Sequence, residues 1–153
     1  MLFLSLGAMA QLEDGKIYRF KDNASGGYLN AANYDTHAQG SHGGVTVVAL
    51  NEKSYDMLFV AKKSGDGFKL KTLTGYYLNG QEWNVDANST TDGMELLFEE
   101  VDGGNYKIKW VSTAAKYQGQ TKYFKVENVD GTYYPFCDAA SGGAATWTIV
   151  EVN

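Results

Sequence analysis

Two short segments of this chain carry an amide, an aromatic ring and a second polar side chain at the same spacing. They are Asn30, Tyr34 and Asp35, then Asn79, Trp83 and Asn84. In both, the ring falls four residues after the asparagine, and a carboxylate or amide follows at once. An aromatic face beside fixed hydrogen-bonding groups suits a hydroxylated ring such as a sugar. The C–H face of the sugar packs on the aromatic, and its hydroxyls meet donors and acceptors. Asparagine offers both a donor and an acceptor to adjacent hydroxyls, without the charge that strengthens such bonds. The same count in a third segment gives Lys125, Val129 and Asp130, with no ring, and Tyr133 and Tyr134 stand further on to supply one. The competing assignments are ordinary ones. Tyrosine and tryptophan also serve as packing residues in small β proteins, and asparagine satisfies turn backbone.

The elements that must hold these residues come from a pattern that occurs three times. Tyr18-Arg19-Phe20, Phe68-Lys69-Leu70 and Tyr106-Lys107-Ile108 each read apolar–basic–apolar, and each follows a glycine-containing turn. Gly27-Tyr28-Leu29-Asn30 follows the first copy and Gly75-Tyr76-Tyr77-Leu78-Asn79 the second, while Lys122-Tyr123-Phe124 is the equivalent in the third, delayed by an insertion at 112–121. Each unit then ends on an alternating stretch: Met57-Leu58-Phe59, Leu96-Leu97-Phe98 and Trp147-Thr148-Ile149. Residues i and i+2 of a strand share a face, so Met57/Phe59, Leu96/Phe98 and Trp147/Ile149 are expected at one inward position in three copies. A repeat of this length signals one supersecondary unit packed against its copies. Three copies in a short chain predict a closed barrel of pseudo-threefold symmetry.

Composition agrees with an all-β chain. There are 18 glycines, 11 tyrosines, seven phenylalanines and a single proline. Aromatics suit a pleated surface and glycine supplies turns, and turn signals such as Asp92-Gly93 and Asp130-Gly131 separate the alternating runs. The 153 residues are expected to form one domain over 11–153, with units at about 15–64, 65–102 and 103–153. Residues 2–7 are apolar and Ala8-Met9-Ala10 fits a small-x-small cleavage pattern. The start thus resembles the remnant of a secretory signal over residues 1–10, cut before Gln11; the alternative is an apolar first strand. Ten apolar residues are too few to span a bilayer. The expected location is outside the cytoplasm: secreted, periplasmic or cell-surface. Cys137 is the only cysteine, so stability comes from packing rather than cross-links. Export without disulfides points to a bacterial source.

Charge and the scarcity of reactive groups narrow the functional classes. Net charge is −5, and the 13 basic residues are scattered rather than striped, which argues against nucleic acid as a partner. Cys137 is expected to be a small packed strand residue rather than a nucleophile. His37 and His42, with Asp35 nearby, share one glycine-rich loop but match no strong metal motif. The segment 84–88 is rich in Asp and Asn but lacks the glycine and terminal glutamate of a calcium loop. No metal and no cofactor is therefore expected. With both histidines in one loop, Ser-His-Asp or Cys-His catalysis has no support. Neighbouring Glu99 and Glu100 fall on opposite faces of a strand, so the chain is expected not to be an enzyme.

The motif Tyr18-x-Phe20-Lys-x-Asn23-x-Ser25-Gly26-Gly-Tyr28-Leu29-Asn30, its second copy Phe68-x-Leu70…Gly75-Tyr-Tyr77-Leu78-Asn79 and the ending Trp147-x-Ile149 resemble the β-trefoil domains of the ricin-type lectin superfamily. The resemblance covers roughly 15–152. The family's Gln-x-Trp hallmark is mostly absent: Ala145 stands where glutamine belongs before Trp147, and Met57 and Leu96 take the tryptophan position. Gln81-Glu82-Trp83 matches it literally but lies outside a closing strand. The resemblance implies 12 strands, six in a barrel and six in a hairpin cap, and sugar binding in up to three pockets. An acidic residue after the conserved leucine would hold sugar hydroxyls, and Asn30 and Asn79 occupy that place here. The function expected is a secreted, non-catalytic carbohydrate-binding module that recognises glycans or polysaccharide through Asn30/Tyr34/Asp35 and Asn79/Trp83/Asn84. The alternatives are a protein-binding trefoil such as a protease inhibitor, using loops 36–44 or 86–93, and an adhesion or structural module.

Overall fold

The computed structural model describes residues 12–32 and 44–153. The signal-like residues 1–10, Tyr34, Asp35 and both histidines lie outside them. Twelve strands form among the described residues, four to each unit. The first four are β1 (Ile17–Asp22), β2 (Tyr28–Asn30), β3 (Thr46–Val48) and β4 (Phe59–Ser64). Next come β5 (Gly67–Thr72), β6 (Tyr77–Gly80), β7 (Val85–Ser89) and β8 (Leu97–Asp102). The last are β9 (Asn105–Val111), β10 (Thr121–Val129), β11 (Thr132–Ala139) and β12 (Trp147–Val152). Among the described residues no helix is long and apolar enough to cross a membrane.

The repeated triplets form strands because their alternation matches the two-residue period of the pleat. In β1, Tyr18, Phe20 and Asp22 are buried, while Ile17, Arg19 and Lys21 are half-exposed. β5 buries Phe68, Leu70 and Thr72, and β9 buries Ile108 and Trp110. The basic residue at the centre of each triplet therefore faces outward.

Six strands close into a ring in which every pairing is antiparallel. β1 meets β4 at Tyr18↔Phe59, β4 meets β5 at Ala61↔Leu70, and β8 meets β9 at Phe98↔Ile108. β9 meets β12 at Tyr106↔Trp147, and β12 returns to β1 at Ile149↔Phe20. The remaining joint, β5 to β8, is a bridge between Phe68 and Leu96, whose amides and carbonyls exchange bonds of 2.9 and 2.7 Å. A second circuit of seven strands runs β1-β2-β3-β11-β10-β9-β12 and also closes. The hairpins β2–β3, β6–β7 and β10–β11 meet one another at Val47↔Tyr133, at Asn84↔Phe136 and through Val45 N–H to Val85 O at 3.3 Å. The β10–β11 turn places Asp130 at φ 52° and Gly131 at φ 91°, the two left-handed positions that an Asp-Gly hairpin turn provides.

The core sits where the three units converge. Phe20, Leu70 and Ile108 are fully buried at matching places, as are Leu29, Leu78 and Phe124. The Phe20 ring lies 5.9 Å from Phe59 in an edge contact and 5.8 Å from Phe98 in a stacked one. Ile149 is half-buried and packs against this cluster. Two of the three closing strands, β4 and β8, begin later than their alternation predicts, while β12 begins at Trp147 as expected. Ser54 Oγ accepts the Asp56 N–H at 3.2 Å and starts a 3₁₀ turn at Tyr55–Met57, so β4 opens only at Phe59. Met57 is buried nonetheless. Phe20→Ala is expected to cost about 3–5 kcal/mol, the range for truncating a buried aromatic, measured as a lower denaturant midpoint.

Candidate functional site

The ring geometry creates seams, where the hairpin of one unit faces the turn after the first strand of the next. One seam joins units two and three in an open cleft of about 470 Å³. Asn79 and Gly80 of β6 line one side, Trp110 at the end of β9 lines the other, and Lys69, Asp92 and Glu95 contribute charge. Gly80 is required there, because a Cβ on it would lie 2.5 Å from the Trp110 ring. The Trp110 indole N–H donates to the Cys137 carbonyl at 2.8 Å, which fixes the ring against the hairpins.

Polar groups in the cleft are pre-set. The Asn79 amide donates to Asn88 Oδ1 at 3.0 Å and to the Asp92 carbonyl at 3.1 Å, and among the described residues its Oδ1 accepts no hydrogen bond. Lys69 forms an ion pair with Asp92. Its ammonium, with help from the Gly93 N–H, holds the Asp92 carboxyl below its ordinary value of 3.8. The pair therefore survives to lower pH than an isolated carboxylate of this kind would, and is lost as pH falls through the lowered value.

The equivalent seam between units three and one is a smaller cleft of about 240 Å³. Lys125 takes the Asn79 place, and Asp22, two residues after the core Phe20, takes the Trp110 place. Asp22 is 1% exposed. Its Oδ2 accepts the Ser25 N–H at 3.0 Å, while its Oδ1 has no hydrogen-bond partner among the described residues. Lys125 pairs with Glu127 at 3.0 Å and Asp138 at 3.8 Å. Tyr133, 41% exposed, joins this cleft to a groove of about 370 Å³ lined by Gly26, Gly27 and Val47–Ala49.

The residues anticipated from sequence are thereby distributed. Asn79 lines a seam cleft. Asn30 is half-buried, and its amide donates to Thr46 Oγ1 at 3.1 Å. Tyr34 and Asp35 lie outside the described residues. Trp83 is half-buried in the β6–β7 turn and does not line the Asn79 cleft; its carbonyl accepts the Cys137 N–H at 2.8 Å. Asn84 is buried where the hairpins meet, bridged to Phe136, and its Oδ1 has no partner among the described residues. Four positions in a hairpin turn thus carry Trp83 and Asn84 away from Asn79. Sequence reasoning missed Lys69, Asp92, Trp110 and Asp22 as cleft residues, since the seam unites segments distant in the chain. The only local signal was the turn propensity of Asp92-Gly93 and Asp22-Asn23.

Cys137 is fully buried. Its thiol donates to the Asn84 carbonyl at 3.4 Å, and burial pushes its pKa well above the ordinary thiol range. Asp86, in the segment that suggested a calcium loop, is buried and accepts the Gly44 N–H at 2.6 Å.

No protein-family model and no curated protein sequence matches the chain. Solved structures do. A Caenorhabditis elegans protein of unknown function superposes with a TM-score of 0.66 at 16% identity, covering 92% of this chain and 96% of the other. The ricin B-like lectin of Macrolepiota procera, in complex with lactose, gives 0.63 at 14% identity over 94% of this chain and 100% of the lectin. The lysenin pore gives 0.59 at 14% identity, covering 96% of this chain and half of the lysenin chain. These likenesses establish a shared all-β fold, one that a ricin B-like lectin uses.

Two outcomes are expected from this geometry. Asp92 should titrate below 3.8 by carboxyl NMR, and Lys69→Met should move it back up. Cys137 should resist a thiol-reactive dye in the native chain and react once the chain is unfolded, because only exposed thiolate is nucleophilic.

Proposed function

We propose that this chain is a β-trefoil, lectin-like module: an exported, non-catalytic protein that binds glycans in the seams between its units. The observation that carries this reading is the Asn79 cleft. It is open, shallow and bounded by a fixed amide, an ion-paired carboxylate and the edge of Trp110. Such a surface offers hydroxyl groups both donors and acceptors without a deep apolar slot, which suits a sugar better than an apolar ligand. The shared fold with a lectin solved with lactose supports the same class of ligand. The Lys125–Asp22–Tyr133 seam is a second, chemically different pocket, where an exposed ring supplies the stacking face.

The test is a glycan array that includes lactose, read for the wild type and for Asn79→Ala. Wild-type binding that falls about tenfold or more in a still-folded Asn79→Ala, the worth of one or two lost hydrogen bonds, is the expected result. A flat array from folded wild type would overturn the reading and move the function to a protein partner.

A further inference from the structure

The insertion at 112–121 in unit three is folded, and it brings two cations onto two aromatic rings. Ser112 N–H donates to Gln120 O at 2.8 Å, Gly119 N–H to Ser112 O at 2.9 Å and Gln120 N–H to Tyr117 O at 2.9 Å, which closes the loop on itself. Inside it, a 3₁₀ turn at Ala115–Tyr117 sets the Lys116 ammonium 5.2 Å from the Tyr117 ring and 5.8 Å from the Trp83 ring. Lys122, at the start of β10, lies 4.4 Å from the Tyr117 ring as well. The result is a surface row in the order Trp83, Lys116, Tyr117, Lys122. Trp83 is anchored beneath it through the bond from Cys137 N–H to its carbonyl.

Among the described residues Lys63, Lys71 and Lys107 also sit over a ring without an ion pair, but each over one ring of its own; this row is distinguished by two ammonium groups sharing the Tyr117 ring, one of them also over Trp83. Lys16, Lys69, Lys109 and Lys125 each pair with a carboxylate. Among the described residues, Lys116 and Lys122 are in no ion pair. Glu82, the one acid of the 81–84 turn, is in none either. Two unneutralised ammonium groups call for an anion, and the ring faces between them call for a flat C–H or π surface. A nucleic-acid strand needs a basic groove that follows successive phosphates, whereas this chain has net charge −5 and only this pair of lysines at the row. One anionic group on one ring fits better.

We infer that Trp83, Lys116, Tyr117 and Lys122 form a subsite for acidic saccharides, that is, a sugar ring bearing a carboxylate or a sulfate. The ring packs on Trp83 or Tyr117, and its anion pairs with Lys116 and Lys122. None of these four residues lines the Asn79 cleft, so the subsite stands or falls separately from neutral-glycan binding there.

The test titrates the full chain at low salt with an oligogalacturonate, a sulfated heparin-derived oligosaccharide, lactose and a single-stranded oligonucleotide. Tryptophan emission and calorimetry are the readouts. Trp110 and Trp147 are buried at 2% and 0% exposure, so emission changes report chiefly on Trp83, and Trp83→Phe should remove the signal while calorimetric binding persists. The expected result is saturable, salt-sensitive binding of one or both acidic saccharides. It should weaken about tenfold or more in folded Lys116→Gln/Lys122→Gln, which removes both charge-assisted contacts. Failure of both acidic saccharides to bind would overturn the inference, even if lactose binds. So would undiminished binding by the double variant, oligonucleotide binding as tight as the saccharides, or loss of acidic-saccharide binding in Asn79→Ala, which would move the site to the cleft.

Discussion

Everything in this chain depends on the burial of Phe20 against Phe59 and Phe98. These rings come from the first strand of unit one and from the closing stretches of units one and two, so their contact ties the first two units together at the centre. Once Phe20, Leu70 and Ile108 lie at one depth, the two-residue period of a strand sets the next inward position in each unit. The residue two places further on also points inward, but it reaches the rim of the barrel instead of its centre. That rim position is Asp22, Thr72 and Trp110, all nearly inaccessible to solvent. Two of the three line the seam clefts. The clefts are thus a by-product of core register.

Features set by neighbours in the chain were legible in the sequence, and features set by closure were not. The apolar–basic–apolar triplets announce strands with an outward Lys or Arg, because i and i+2 share a face whatever the rest of the chain does. Twelve strands, six of them closed into a ring, are the natural outcome of three such units. The exact start of a strand depends on weaker competition: at Ser54, one side-chain cap is enough to turn the chain into a 3₁₀ segment and delay β4. Spacing suggested that Asn79, Trp83 and Asn84 act together, yet a tight hairpin sends consecutive residues to different surroundings. Asn84 is drawn into the junction of the hairpins, and Trp83 is turned toward the insertion. Trp110 is distant from Asn79 in sequence and meets it only because the barrel closes, and no local pattern encodes that meeting.

Lysine has two different roles on this surface. At Lys69 and Lys125 the charge is spent within the protein, holding a neighbouring carboxylate in place. Such a pair contributes little to stability where both groups are exposed, but it fixes donors and acceptors in position. Lys116 and Lys122 have no carboxylate partner among the described residues, and their ammonium groups rest on aromatic faces, as those of Lys63, Lys71 and Lys107 do. A ring attracts a cation without neutralising it, so a local positive field survives on a chain whose overall charge is negative.

The three rim positions differ completely in chemistry: a carboxylate at Asp22, a hydroxyl at Thr72 and an indole at Trp110. Each has a hydrogen-bond partner within its own unit, Asp22 in Ser25, Thr72 in Tyr76 and Trp110 in Cys137. None relies on either of the others. A duplicated architecture of this kind can diversify one copy at a time. A substitution at one rim site alters its own stretch of the rim and leaves its two siblings and the shared centre undisturbed, so the three copies can diverge in chemistry while the barrel stays the same.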